Sequence, residues 1–209
     1  YIHVPFCDNI CSFCSMNRTK LEDELDSYTQ YLLGETRKYG KFPYLQAKNI
    51  RSVYFGGGTP TILKEKHLEP IITALRSNFN ISDDCEFSLE TTLHNLNLSK
   101  VRLLESLGVN RFSIGVQTFS DKGRKLLNRV HDKKGAIEHL KMIRQNFSGM
   151  VCTDIIFNYP EQTIDEVLED ARLVDELNID STSFYSLQLF EKSELAKTVS
   201  QDYYDVNYE

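Results

Sequence analysis

Residues 50–60 have the sequence IRSVYFGGGTP, and this stretch decides the fold. The residues before the glycines are rich in β-branched and aromatic side chains, which is typical of a buried strand. The three glycines and Pro60 end that strand, and the apolar periodicity of residues 65–77 predicts a helix beyond it. The stretch therefore predicts a unit of strand, glycine-rich loop and helix.

Units of this kind recur along the chain. We predict six strands, at residues 1–4, 50–55, 85–89, 111–116, 151–157 and 181–187. Helical periodicity covers residues 25–39, 65–77, 100–107, 134–146 and 164–177. Because strands and helices alternate, the strands should form a parallel sheet.

The chain length limits how far such a sheet closes. A closed barrel of eight units usually needs about 250 residues, whereas this chain has 209. We therefore expect an α/β fold, a partial (β/α)6 TIM-like barrel of parallel strands that is open on one side. In this architecture the loops after the strands meet at one edge, so functional residues are sought there.

Two predicted helices have recognisable boundary residues. Ser99 is the predicted N-cap of the helix at residues 100–107, and Gly108 is its predicted stop. Residues 163–166 (TIDE) predict a capping box at the start of the last helix.

Composition and charge exclude several functional classes. The chain is 41% hydrophobic and 26% charged, values typical of a folded globular domain. Its net charge is −6, from 24 basic and 30 acidic residues that are interspersed, which argues against a nucleic-acid partner or a basic membrane surface. No apolar run is longer than three residues, so we expect no membrane span and a cytoplasmic location.

The predicted units account for one domain, at residues 1–196. Residues 197–209 are polar and rich in tyrosine, and we interpret them as a connection toward a further C-terminal segment. The sequence begins at Tyr1 without an initiator Met, so we expect it to be an excerpt.

The chain has five cysteines, and three of them cluster after the first strand. Cys7, Cys11 and Cys14 have the spacing C-x3-C-x2-C, which does not suggest a disulfide framework. Three thiolates suit an iron–sulfur cubane whose fourth iron stays open to another ligand. A zinc site completed by His3, Cys85 or Cys152, and unligated thiols, are the alternatives.

Several motifs together resemble one family. They are residues 1–7 (YIHVPFC), the cysteine loop with Phe13 before its last Cys, and residues 54–61 (YFGGGTPT). These resemble the radical S-adenosylmethionine (SAM) superfamily, and within it the branch of oxygen-independent coproporphyrinogen III oxidase, haem chaperones and haem-degrading enzymes. The resemblance runs to about residue 196, which makes residues 1–196 a radical SAM core domain.

The resemblance implies two cofactors and a set of residues that bind them. Cys7, Cys11 and Cys14 would bind three irons of a [4Fe-4S] cluster, and SAM would bind the fourth. The residues implied to bind SAM are Tyr1, Phe13, Gly57, Gly58, Thr59, Glu90, Gln117, Arg129, Asp154 and Gln188. The physical requirement is an open iron beside an ordered cofactor in a protected pocket.

The sequence also departs from the family pattern. Thr91, Thr92 and Leu93 follow Glu90 where the family often has an x-Asn/Asp-Pro element. Asn158 replaces a usual Gly, a mild change because Asn tolerates left-handed backbone. Met16 stands where the oxidase often has a further Cys. We interpret His131 as structural.

Cys85 and Cys152 are interpreted as small buried side chains within strands. A second cluster is not expected, since no further Cys accompanies them.

By resemblance, the expected function is radical SAM chemistry on a tetrapyrrole: decarboxylation of coproporphyrinogen III, or methylation and opening of haem. The electron donor would be a flavodoxin or ferredoxin. Residues 189–196 look more like the haem-utilising relatives. The alternative is a haem chaperone that keeps the cluster and the SAM site.

Overall fold

The computed structural model describes residues 1–16, 19–20 and 24–199. Its strands are β1 Ile2–Val4, β2 Phe6–Cys7, β3 Thr19–Lys20, β4 Ile50–Gly57, β5 Ile81–Thr91, β6 Arg111–Gln117, β7 Met150–Phe157 and β8 Ser181–Ser186. Its α-helices are α1 Leu25–Tyr39, α2 Pro43–Gln46, α3 Glu65–Asn78, α4 Leu98–Ser106, α5 Asp121–Leu126, α6 Lys133–Asn146 and α7 Ile164–Glu176. None of the described helices has the length and apolar character needed to cross a bilayer.

Six strands form one parallel sheet in the order β1-β4-β5-β6-β7-β8. This order follows the chain, as expected when each strand is joined to the next through a helix. β1 and β8 are not paired with each other in the part of the chain that the structure describes. The predicted α/β class with an open, partial barrel is therefore confirmed.

The two faces of the sheet differ because side chains alternate along each strand. In β6, Phe112, Ile114 and Val116 are fully buried and join the main apolar core with residues of α4 and α6. Arg111, Ser113 and Gly115 point to the opposite, concave face and are only half-buried. The sheet thus packs its apolar face on helices and leaves a polar face toward the inside of the open barrel.

The predicted helices are present with small shifts at their ends. α4 begins at Leu98, and its N-cap is Asn97, whose side chain accepts a hydrogen bond from the Lys100 amide at 2.9 Å. The prediction of Ser99 as the cap was wrong, since Ser99 instead donates to Glu65 and Asn97. Both residue types are good caps, and Asn97 lies at the position from which its oxygen reaches a free amide.

Two other helix signals are confirmed. Gly108 has a φ of +85° just after α4, which is the left-handed conformation expected at a helix stop. Thr163 and Glu166 form the predicted capping box of α7.

A second, small sheet was not predicted. β2 pairs with β3 in parallel, and the Thr19 amide donates to the Pro5 carbonyl at 2.7 Å. This pair brings both ends of the cysteine loop together. Beneath the loop lies a second apolar cluster, made of Leu127, Ile156, Tyr159, Leu187 and Leu195.

The end of the domain is described only in part. Residues 195–197 form a short 3-10 helix, and Leu195 packs into the second apolar cluster. Residues 200–209, most of the predicted connection, lie outside the described residues, so the connection stays a prediction.

Asn158 follows β7 and has a φ of 59°, so substitutions there test how much the left-handed backbone costs a residue other than Gly or Asn. We expect Asn158→Gly to keep the wild-type free energy of unfolding, and Asn158→Ala to lower it by about 1 kcal/mol, since a Cβ is disfavoured there. Urea denaturation of both variants measures the difference. Equal stability of the Gly and Ala variants would contradict the expectation.

Candidate functional site

The three loop cysteines border one cavity of about 290 Å³ at the carboxyl ends of the strands. Among the described residues, none of the three forms a disulfide. Cys7 is buried, and its Sγ lies 3.6 Å from the Thr59 hydroxyl. Cys11 and Cys14 are half-buried. The cavity therefore brings together three thiols and the loop that follows β4.

The cysteine loop is fastened to the segment after α5. Asn9 donates through its Nδ2 to the Asn128 carbonyl at 2.6 Å, and Asn128 donates back to the Ile10 carbonyl at 2.7 Å. Ser12 donates to the Leu126 carbonyl at 2.7 Å. The loop thus lies in a defined position relative to Arg129, the next residue along that segment.

The glycine-rich loop lies so close to the first strand that side chains would not fit. A Cβ on Gly58 would lie 2.5 Å from the Phe6 carbonyl oxygen and 3.0 Å from the Cys7 Sγ. Gly57 has a φ of +114°, and a Cβ there would lie 2.7 Å from the His3 ring. Glycine is therefore required at both positions.

Glu90 lies one residue before the end of β5 and accepts hydrogen bonds from two residues of β4. It accepts a hydrogen bond from the Tyr54 hydroxyl at 2.7 Å and another from the Gly57 amide at 3.0 Å. Burial, followed by the bond to Glu90, raises the pKa of the Tyr54 hydroxyl, which stays a donor. The carboxylate is thereby held at the edge of the cavity beside the glycine-rich loop.

Gln117 and Arg129 form part of the cavity wall. Gln117 has a φ of 75° and is buried, and its Oε1 accepts from the Tyr185 hydroxyl at 2.9 Å. Arg129 donates through Nη1 to the Cys11 Sγ at 2.8 Å and through Nη2 to the Gly115 carbonyl. Its Nε is buried and has no hydrogen-bond partner among the described residues. A cation therefore lies against one of the three thiols.

Asp154 lines the same cavity from β7. Burial raises the pKa of its carboxyl, and the nearby Glu90 carboxylate adds to the rise, while Arg111 opposes it. Asp154 faces Gly115 across the strand pair. With Glu90, it supplies acceptors for the hydroxyl or ammonium groups of a ligand.

Three of the predicted site residues do not line this cavity. Tyr1 is exposed and stacks on Tyr54 at 6.1 Å between ring centres, outside the cavity. Phe13 packs against the second apolar cluster, and with Gln188 it borders a neighbouring cavity of about 350 Å³. That cavity shares Cys14, Met16 and Tyr185 with the first.

Sequence reasoning missed several residues of the cavity lining. Tyr185 is the most informative, because it borders both cavities and orients Gln117. Burial raises the pKa of its hydroxyl to about 12, so the hydroxyl remains a donor. Strand alternation in β8 would have placed it on the concave face with Ser183. The others are Asn9, Thr91, Thr92, His94, Ser113 and Gly115.

The donor set fits an iron–sulfur cluster better than one metal ion. Within residues 1–16, 19–20 and 24–199, no group of three or more His, Cys, Asp or Glu is arranged around a single ion. Cys85 and Cys152 are 5% exposed within β5 and β7, away from the cavity lining. A [4Fe-4S] cluster distributes its thiolates over separate irons, and the unpartnered Nε of Arg129 is available to a further acceptor.

His131 does not line the cavity of the three thiols. It stacks on His139 with 4.3 Å between ring centres, and burial lowers its pKa. Its Nε2 is buried and has no hydrogen-bond partner among the described residues, so the structural role stays an interpretation.

Comparison with known proteins identifies the family. The radical SAM superfamily model matches residues 1–174. The anaerobilin synthase of Escherichia coli O157:H7 is 33% identical over 201 residues, which cover 95% of this chain and 45% of that protein. The heme chaperone HemW of Escherichia coli strain K12 is 30% identical over 191 residues, covering 90% of this chain and 50% of that protein.

A solved structure agrees with these matches. The structure of coproporphyrinogen III oxidase (HemN) from Escherichia coli has a TM-score of 0.87 at 27% identity, covering 97% of this chain and 47% of that one. The chain spans about half the length of these relatives. The chain belongs to the radical SAM superfamily, whose cofactors are a [4Fe-4S] cluster and SAM.

Proposed function

We propose that the protein cleaves SAM reductively and uses the resulting radical on a tetrapyrrole. The observation that carries the proposal is the single cavity on which three thiols, a glycine-rich loop, Glu90, Arg129 and Asp154 converge. When bound, the cluster supplies one electron to the SAM sulfonium, and cleavage gives methionine and a 5′-deoxyadenosyl radical. A one-electron donor such as a flavodoxin or ferredoxin would supply that electron.

The residues of the cavity suit the parts of SAM. Cys7, Cys11 and Cys14 would hold the cluster. Gly57, Gly58 and Thr59 line the cavity, so their backbone groups can meet the amino acid part of SAM.

Carboxylates and cations of the cavity provide complementary contacts for the cofactor. Glu90 and Asp154 offer carboxylate acceptors, as the amino and ribose hydroxyl groups of SAM require. Arg129 and Gln117 offer a cation and an amide, groups suited to bind a carboxylate and a ribose.

The tetrapyrrole substrate class is supported by the relatives. Their names are anaerobilin synthase, coproporphyrinogen III oxidase and heme chaperone, each of which concerns a tetrapyrrole. Among the tetrapyrroles we favour haem. Met16 borders the cavity at the position where the oxidase often has a further Cys, and the anaerobilin synthase match covers 95% of this chain.

A haem chaperone is the second candidate. It is favoured by the 30% identity to HemW over 90% of this chain. A chaperone of this kind would use the same cavity for the cluster and SAM but would transfer haem unchanged.

The first prediction concerns Cys11, which would hold one iron and accepts the Arg129 hydrogen bond. After anaerobic reconstitution with iron and sulfide, Cys11→Ala should lose formation of 5′-deoxyadenosine from SAM, because one cluster ligand is gone. Chromatography of the reduced reaction measures this product. Cys85→Ala is the matched control, since Cys85 is buried within β5 outside the cavity, and it should cleave SAM like the wild type. Undiminished cleavage by Cys11→Ala would refute the site.

The second prediction separates the enzyme from the chaperone. The reduced protein is incubated with SAM and either haem or coproporphyrinogen III, and the tetrapyrrole is analysed by mass spectrometry. We expect haem to change in mass only when SAM is present and cleaved. Tightly bound but unchanged haem would favour the chaperone. If neither tetrapyrrole binds or changes while SAM is still cleaved, the substrate class is wrong and the radical SAM activity stands.

A further inference from the structure

We propose that Arg124 is a positioning residue that holds Gln117 and Arg129 in the geometry that binds SAM. The inference deepens the proposed function and depends on it, because it concerns the same cavity. Arg124 lies in α5, does not border the cavity of the three thiols, and has no part in the roles assigned above. It is nonetheless 3% exposed, which is unusual for a guanidinium.

All hydrogen bonds of the Arg124 side chain go to backbone carbonyls. Nη1 donates to the Val116 carbonyl at 3.1 Å and to the Thr118 carbonyl at 2.8 Å. Nε donates to the His131 carbonyl. One planar guanidinium therefore joins the end of β6 to the segment that follows α5, as only Arg can do with its fork of donors.

The Val116 and Thr118 carbonyls lie on either side of Gln117 in the sequence, and the turn at Gln117 brings both to the same Arg124 nitrogen. Gln117 adopts a φ of 75°, a conformation that costs a non-glycine residue free energy. Carbonyls on both sides of this residue accept from one nitrogen, so the guanidinium stabilises the left-handed turn. The turn places the Gln117 side-chain amide in the cavity lining, where it accepts a hydrogen bond from the Tyr185 hydroxyl.

The third carbonyl belongs to the segment that carries Arg129. The Arg129 amide also donates to the Arg124 carbonyl at 2.8 Å, so residue 124 holds this segment through both its backbone and its side chain. Arg129 then reaches the Cys11 Sγ and the Gly115 carbonyl. A single buried side chain thus sets the positions of two residues on one wall of the cavity.

The charge of Arg124 is not balanced by an adjacent carboxylate. Among the described residues it forms no ion pair. Burial is the main cause that lowers the pKa of Arg124 to about 10, and the positive charge of Arg129 is the second. Asp121, Asp132 and Asp170 act from further away in the opposite direction. A buried cation kept for stability alone would be paired, since an unpaired one is costly. The carbonyls that Arg124 binds belong to the two segments that carry Gln117 and Arg129, and this is why we assign the guanidinium a positioning role.

The test compares Arg124→Lys with Arg144→Lys. Lysine keeps the charge but lacks the fork, so it should lose at least one of the three carbonyl contacts. Arg144 also joins two loops, by donating to the Gly149 carbonyl before β7 and to Asp180 before β8, at the opposite end of the strands. The dissociation constant of SAM is measured on reconstituted proteins matched for cluster content, and hydrogen exchange of residues 116–131 is measured on the proteins without cluster.

We expect Arg124→Lys to weaken SAM binding about tenfold and to accelerate exchange at the Arg129 amide. Arg144→Lys should leave both unchanged. A weakening of less than about threefold, or an equal weakening in Arg144→Lys, overturns the inference. If Arg124→Lys does not fold, Arg124→Gln is judged by the same criterion. A wild-type protein that fails to bind SAM would instead refute the proposed function.

Discussion

The close approach of the glycine-rich loop to the first strand is the constraint on which the site depends. The Gly58 amide donates to the Val4 carbonyl at 2.7 Å, and the Thr59 amide donates to the Phe6 carbonyl at 2.8 Å. These two bonds continue the pairing of β1 with β4 past the end of the sheet. The two bonds hold the loop so close to Phe6 and Cys7 that a Cβ at Gly58 would not fit.

The remaining site follows from the parallel sheet. Each strand ends at the same edge, so Glu90, Gln117 and Asp154 meet there although they are far apart in sequence. Hydrogen bonds then join the strands: Glu90 links the neighbouring β4 and β5, and Tyr185 of β8 reaches across β7 to Gln117 of β6. The polar contacts at the edge of the cavity therefore depend on several strands of the sheet and not on one loop.

Much of this arrangement could be predicted from the sequence because it depends on periodicity and spacing. The six strands alternate with helices, and the cysteine spacing is local, so both are visible in the chain itself. Two-residue strands such as β2 and β3 have no periodicity to detect. The cap of α4 was misplaced because Asn97 and Ser99 are equally suitable residue types and only the backbone decides between them. Burial of Arg124 depends on three carbonyls that converge only in the fold.

Tyr185 connects the outermost strand of the sheet to the interior of the site. β8 is the last strand of the sheet, and Phe184 and Tyr185 are each 40% exposed on it. The hydroxyl that orients Gln117 is therefore supplied by a strand that, within the described part of the chain, pairs only with β7. The position of Gln117 in the cavity lining therefore depends on a side chain of the outermost strand, through a hydrogen bond of 2.9 Å.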